Sequence, residues 1–370
     1  MLTESQFDEL IAPILELYEE FNQSVINDIA RHLAKLSMTE TAAWQTQRLS
    51  EAGMLYNDII DKLAKLTGRS KRELLRMFTT AGVKTMAYDN AIYIKAGLKP
   101  IPLNLSPAMV NVLAAGLLKT NNIIQNLTMT TAIDAQQIFI RAADIAYMQV
   151  TSGTFSYDEA IKRSIKDVAG RGVSVINYAS GRKDQIDVAM RRTVLTGVAQ
   201  TTMELQLTQA RMIGTDLVQT SAHIGARPTH QVWQGKIFSI SGTNKKYPSL
   251  VYETGYGTVT GLGGINCRHS IYPVFEGLSE NPYDKNTLKE YADKTIKYQG
   301  KDIPVYEATQ IQRSIERKIR SYKRQASALK ATGKSNIEEM SKVKRYQKQM
   351  REFIKETGLN RQYVREQTIE

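Results

Sequence analysis

From residue 3 to about residue 215, apolar positions recur at intervals of three and four, the spacing of helices with one buried face. Leu10, Ile14, Leu17 and Phe21 form the first clear stripe. A Ser or Thr followed three places later by Glu or Gln occurs at Thr3/Gln6, Ser70/Glu73 and Ser156/Glu159. In such a pair each side chain bonds the other residue's free backbone N–H, so each pair predicts a helix start. The segment KPIPLNLSP, residues 99–107, holds three of the nine prolines. Ser106 followed by Pro107 predicts an N-cap and first helical residue, and a subdomain boundary. The pattern breaks after Gly214. Residues 221–282 hold nine of the 23 glycines and four of the prolines, with the β-type runs HQVW, KIFSI, SLVYE and SIYPVF between turns. Helical spacing returns at Asn286, with Thr287/Glu290 as a further capping pair, and runs nearly to the end. No repeat of fixed period interrupts it. The expected fold is mainly α, with long helical arms flanking a small, loop-rich α+β module. The expected segments are residues 1–105 and 106–215 (helical), 216–282 (the module with short strands) and 283–370 (a basic helical end).

Composition narrows the class. The 370 residues are 42% hydrophobic and 23% charged, ordinary values for a folded globular chain and unlike those of disordered or low-complexity proteins. The most apolar stretch, Val110 to Leu118, is interrupted by Asn111 and falls short of the ~20 residues of a bilayer span, so no membrane helix is expected. The first 30 residues carry seven acids and no Lys or Arg, unlike a secretory signal, and a single cysteine, Cys267, allows no disulfide within the chain. Both features predict a chain that starts in a reducing cytoplasm. The net charge is +12, and residues 301–370 alone carry 17 Lys and Arg against nine acids. Such segregation suits an anionic partner such as nucleic acid, or a solvated helical surface.

Candidate chemistry gathers in the module. His223, His230 and His269 lie with Cys267 inside 47 residues. Imidazole and thiolate are good zinc ligands, and a small module can gain folding energy from a structural metal, which makes His230, Cys267 and His269 the candidate ligands. The plainer alternative is that these side chains hydrogen-bond loop backbone. The gap from His230 to Cys267 is long, and Cys267-x-His269 is tighter than the pairs of common zinc modules. The glycines in TGYGTVTGLGG are not a phosphate loop, because no Gly-Lys-Ser/Thr and no helix follow them. A metal-dependent hydrolase or nuclease on the same three ligands is the alternative function. Carboxylates to complete it are scarce, with only Glu253, Glu276 and Glu280 between residues 221 and 282. Further on, Arg313, Arg317, Arg320 and Arg324 fall within about 60° of one helix face, opposite Ile311, Ile315, Ile319 and Tyr322. They form a candidate stripe for the DNA backbone, or a set of salt bridges to the acidic amino-terminal helix.

The module also carries a resemblance. HIGARPTHQVWQGKIFS, residues 223–239, and YPSLVYETGYGTVTGLGGINCRHSIYPVFEG, residues 247–277, resemble the signature of the phage minor capsid protein 2 family, relatives of the Mu F-type head-morphogenesis proteins. Arg227, Pro228, His230, Trp233, Gly235 and Lys236 match in the first block, and Asn266, Cys267, Arg268 and His269 in the second. YEATQIQRSIERKIRSYKR, residues 306–324, is similar to that family's helical tail. Gly263 stands where members of the family often have a cysteine, which removes a soft ligand from the zinc reading. The resemblance implies a virion protein made in the host cytoplasm and present in a few copies in the head near the portal. It links the chain to head assembly, DNA packaging or DNA delivery, with the portal, the major capsid protein or both as partners and packaged double-stranded DNA as a further candidate, and it implies no established catalysis. No cofactor is expected other than the candidate structural zinc. In a scaffold role, Trp233 fills a small core, Arg227 and Arg268 donate to carbonyls or a carboxylate, and Asn266 pins a turn.

Overall fold

A computed structural model describes residues 4–37, 39–177 and 183–368. The chain is mainly helical and carries a small α+β module, as its periodicity predicts. In order, the elements begin with helices α1 (Glu4–Lys35), α2 (Thr41–Lys95), α3 (Pro107–Met129), α4 (Thr131–Thr151) and α5 (Tyr157–Arg171). Strands β1 (Ser174–Asn177) and β2 (Lys183–Gln185) precede α6 (Ile186–Ile213). The module follows with β3 (Leu217–Thr220), α7 (Pro228–Gln231), β4 (Ile237–Ser239), α8 (Leu250–Thr254) and β5 (Ile271–Pro273). The chain then forms α9 (Lys285–Asp293), the hairpin β6 (Thr295–Tyr298) and β7 (Lys301–Pro304), α10 (Val305–Ala331) and α11 (Ile337–Thr357). No helix among the described residues is long and apolar enough to cross a membrane.

Two of the sequence signals for helix starts recur as caps. Ser156 precedes α5 and its hydroxyl accepts from the Glu159 N–H, and Ser106 precedes α3 with its hydroxyl accepting from the Met109 N–H. Others differ. Ser70 lies inside α2, a helix of 55 residues, where it is buried and its hydroxyl pairs with the Tyr18 hydroxyl at 3.0 Å. Tertiary packing there uses the polar side chain that the sequence assigned to a cap. Thr3 lies outside the described residues. α9 is capped by Asp284, whose carboxylate accepts from the Thr287 N–H, and not by the Thr287/Glu290 pair.

Two of the four β-type runs are helical. His230 and Gln231 of HQVW end α7, whose first residue is Pro228 with its preset φ. SLVYE is α8 behind its N-cap Ser249. The β6–β7 hairpin replaces helix at residues 295–304. Tyr298 pairs with Lys301 across a two-residue loop in which Gln299 and Gly300 have φ of 51° and 76°. Two successive positive φ values match the twist of the flanking strands. Gln-Gly is a weaker sequence signal for this loop than Asn-Gly, so the helical spacing masked it.

Two compact units make up the chain, each from three separate segments. One comprises Met1–Pro13, Lys71–Ile123 and Arg191–Thr309, the other Ile14–Ser70, Ile124–Met190 and Gln310–Glu370. The first contains the module, built on the carboxy-terminal part of α6. Met203 and Leu207 of that helix meet Val218, Trp233, Phe238, Leu250, Leu262 and Ile271 in one buried cluster. The second unit is a helical body. Its core includes Ile14, Tyr18 and Phe21 of α1, Trp44 of α2, Phe139 of α4, Ile165 of α5, Ile319 of α10 and Phe353 of α11.

Candidate functional site

The module is organised around an antiparallel sheet in the order β4-β3-β5, with Val218 of the central strand opposite Phe238 and Pro273. Its central strand is tied down by side chains as well as by the ladder. Gln219 donates to the Gly235 carbonyl at 2.8 Å and to Asn281 at 2.5 Å, and the Thr220 hydroxyl donates to the Trp233 carbonyl at 3.0 Å. These bonds hold the segment from α7 to Gly235 against the sheet and seat Trp233, 4% exposed, in the core. Before β5 the chain makes a compact loop. The backbones of Gly261 and Gly264 pass so close to the carbonyls of Gly255 and Val259 that a Cβ would fall 2.0 and 2.4 Å from those oxygens. Asn266 then turns the chain with a φ of 58°, a left-handed conformation that asparagine tolerates.

That loop brings together the residues that stand apart in sequence. His230, on α7, meets Cys267 and His269, and one potential ligand atom from each lies within 4.8 Å of the others. Both histidines are 3% exposed. His230 Nε2 bonds the Thr260 carbonyl at 2.8 Å, and a carbonyl only accepts, so this nitrogen carries the proton. Gln234 Oε1 accepts from the His223 backbone N–H at 3.1 Å and lies 3.1 Å from His269 Nε2, which therefore donates as well. The remaining His269 nitrogen, Nδ1, lies 3.6 Å from Cys267 Sγ. Aromatic faces close the cluster, with Trp233 centred 4.6 Å from both His230 and His269 and the His223 ring 4.6 Å from His269.

The electrostatics follow from burial. Desolvation, helped by the charges of His223, His230 and Arg227, pushes His269 down to about 2. Desolvation likewise lowers His230, and it raises the Cys267 thiol. These shifts favour the neutral forms of His230, Cys267 and His269.

The other motif residues surround it. Arg227 donates to the Ile265 carbonyl at 2.9 Å. Arg268 pairs with Asp8 at 3.5 Å, and Arg191 bonds the same carboxylate at 2.7 Å. Gly235 takes a φ of 70°. Gln234, Thr260 and Asp8 were not singled out in the sequence. The sequence signal for Gln234 is its position four residues after His230 and next to Trp233 and Gly235.

The arginine stripe is largely engaged by its own unit. Arg313 bonds Glu316 at 2.9 Å and Arg320 bonds Asp187 at 2.7 Å. Arg324, 5% exposed, donates to the carbonyls of Ala169 and Gly170 at the end of α5, both at 3.1 Å. Burial lowers Arg324 to about 10, and Glu19 of α1 lies within its field. Arg317 alone of the four is exposed. Elsewhere, a cavity of about 390 Å³ lies between α3 and α6, lined by Val112, Thr120, Ile123, Thr201 and Ile265 among others.

Comparison with known proteins extends these observations. The profile of the family described as phage minor capsid protein 2 matches residues 2–355. A structural protein of Lactococcus phage LL-H is 26% identical over 359 residues, covering 93% of each chain. A structural protein of Lactococcus phage mv4 is 37% identical over 126 residues, 33% of this chain and 93% of its own. No solved structure matches.

Proposed function

The chain belongs to the phage minor capsid protein 2 family, and from that premise we propose that it is an architectural protein of a tailed-phage head, placed near the portal and active in head assembly, DNA packaging or delivery. As a structural protein of a phage virion it interacts with other virion components. Our reading assigns the portal and the major capsid protein as those partners, with packaged DNA as a third. One observation carries the architectural role. The chemistry-bearing residues of the module are used internally, with the ring N–H groups of His230 and His269 bonded to Thr260 and Gln234 and the cluster packed against Trp233. Arg227, Arg268 and Asn266 hold the loop that carries Cys267 and His269, so the signature residues act on one another and not on an open cleft. That support favours a scaffold over a hydrolase or nuclease on the same ligands.

DNA contact falls, in this proposal, to α11 and not to the α10 arginines. Lys344, Lys348, Arg351 and Lys355 are exposed. At 100° per residue they share a wedge of about 60° along roughly 16 Å of helix, a spacing suited to tracking phosphates.

Cross-linking mass spectrometry of intact heads tests the placement. Lysines of this chain are expected to link to portal and shell subunits, and links confined to tail proteins would overturn it.

A further inference from the structure

We propose that His230, Cys267 and His269 bind a zinc ion that fastens the loop before β5 to α7. The distances already fit a coordination sphere. With Zn–S near 2.3 Å and Zn–N near 2.0–2.1 Å, two ligands at a tetrahedral angle stand about 3.6 Å apart. Cys267 Sγ and His269 Nδ1 are 3.6 Å apart, and one potential ligand atom from each of the three residues lies within 4.8 Å of the others, so small side-chain shifts close the two edges to His230.

The hydrogen bonds set the tautomers that a metal requires. Histidines that ligate metals donate their second ring N–H to a carbonyl, amide or carboxylate, which fixes the ring and leaves the other nitrogen's lone pair for the ion. Both histidines do this here, and independently. The Thr260 carbonyl holds the proton on His230 Nε2, and Gln234, whose oxygen is oriented by the His223 backbone N–H, holds it on His269 Nε2. Nδ1 is left as the ligand nitrogen of each ring.

The fold places the ligands for a reason visible in the chain. Cys267 and His269 are two residues apart in the run entering β5, so in an extended chain they share a face while Arg268 turns away, toward Asp8. The left-handed turn at Asn266 starts that run. Soft thiolate with imidazole selects zinc over magnesium or calcium, which favour oxygen ligands. On binding, the Cys267 thiol releases its proton to solvent and the sulfur lone pair goes to the metal. His223 is the nearest further imidazole, and since its Nδ1 is engaged by the Ile224 carbonyl, Nε2 is the nitrogen it offers for the fourth position. Residues from α7 and from a glycine-rich loop 30 and more positions away would then be joined through one ion, the usual role of a structural zinc in a small module.

Metal analysis of the full-length chain decides the matter. After incubation with one equivalent of Zn²⁺ and desalting, the protein is expected to retain one zinc per chain. Co²⁺ in its place is expected to show a sulfur-to-cobalt charge-transfer band, which Cys267→Ser abolishes. Gln234→Leu, which keeps all three ligands and frees the His269 N–H, is expected to weaken zinc binding by about 10- to 100-fold. Failure of the wild-type chain to retain zinc, or a cobalt adduct without the sulfur band, would overturn the proposal without reference to any variant. Zinc binding by Cys267→Ser at wild-type affinity would also overturn it.

Discussion

Asp89 shows how a single buried group shapes the stability of the unit that holds the module. It is fully buried beneath β5, where Gln206 donates to both its oxygens at 3.2 and 3.0 Å and to the Ile271 carbonyl at 2.6 Å. Burial pushes its carboxyl from 3.8 up to about 7. An acid whose pKa is raised by folding binds its proton more tightly in the folded chain, so its contribution to stability falls as pH rises from about 4 to 7. Asp89→Asn, uncharged and of the same shape, removes that loss. Urea unfolding at pH 4 and pH 8 should find the variant gaining roughly 2–4 kcal/mol on the wild type over that interval. An unchanged difference between the two proteins would contradict the burial account. The residue scale is also where the sequence was most and least informative. The three histidines and the cysteine announced their cluster by composition, because few other polar groups of the module have that chemistry. The four α10 arginines looked equivalent by helical phase, yet Arg324 is buried against α5 and Arg317 is exposed. Phase tells which side chains share a face and not which element covers that face.

Among the elements, α11 is the one to which the proposed DNA contact is assigned. Its buried side carries Val343, Met350 and Phe353, and its outer side the four cations Lys344, Lys348, Arg351 and Lys355, with Lys348 paired loosely to Glu352 at 3.8 Å. Exposed pairs of that kind contribute little, so the ridge remains available to phosphate. Changing the four cations to glutamine should reduce the slope of log affinity against log salt for duplex DNA by about three to four, with the helix content unchanged. An unaltered slope would remove α11 from the DNA contact. Long helices and the caps at Ser106 and Ser156 were legible in the sequence because their signals are local. Ser70 and the β6–β7 hairpin were not. The hydroxyl of Ser70 answers to Tyr18, 52 residues away, and Gln299-Gly300 adopts a turn that helical spacing conceals.

For the molecule as a whole, the division into units follows contacts that no local pattern encodes. Asn27 of α1 donates to Ser327 of α10 at 3.4 Å, 300 residues apart, within one unit. Residues 216–282 could be marked out by glycine and proline content. That α6 supplies part of the core beneath them depends on Met203 and Leu207, which read simply as helix. The candidate site has the same split: the cluster of His230, Cys267 and His269 was legible, while the tautomers that make it coherent rest on Gln234 and a backbone carbonyl. Both scales lead to a protein whose distinctive residues hold its own loops together while its outer surface serves the particle. Quantitative mass spectrometry of purified, DNA-filled heads tests that account most directly. The result it predicts is this chain in a small, fixed ratio to the portal subunit, and infectious heads without it would contradict it.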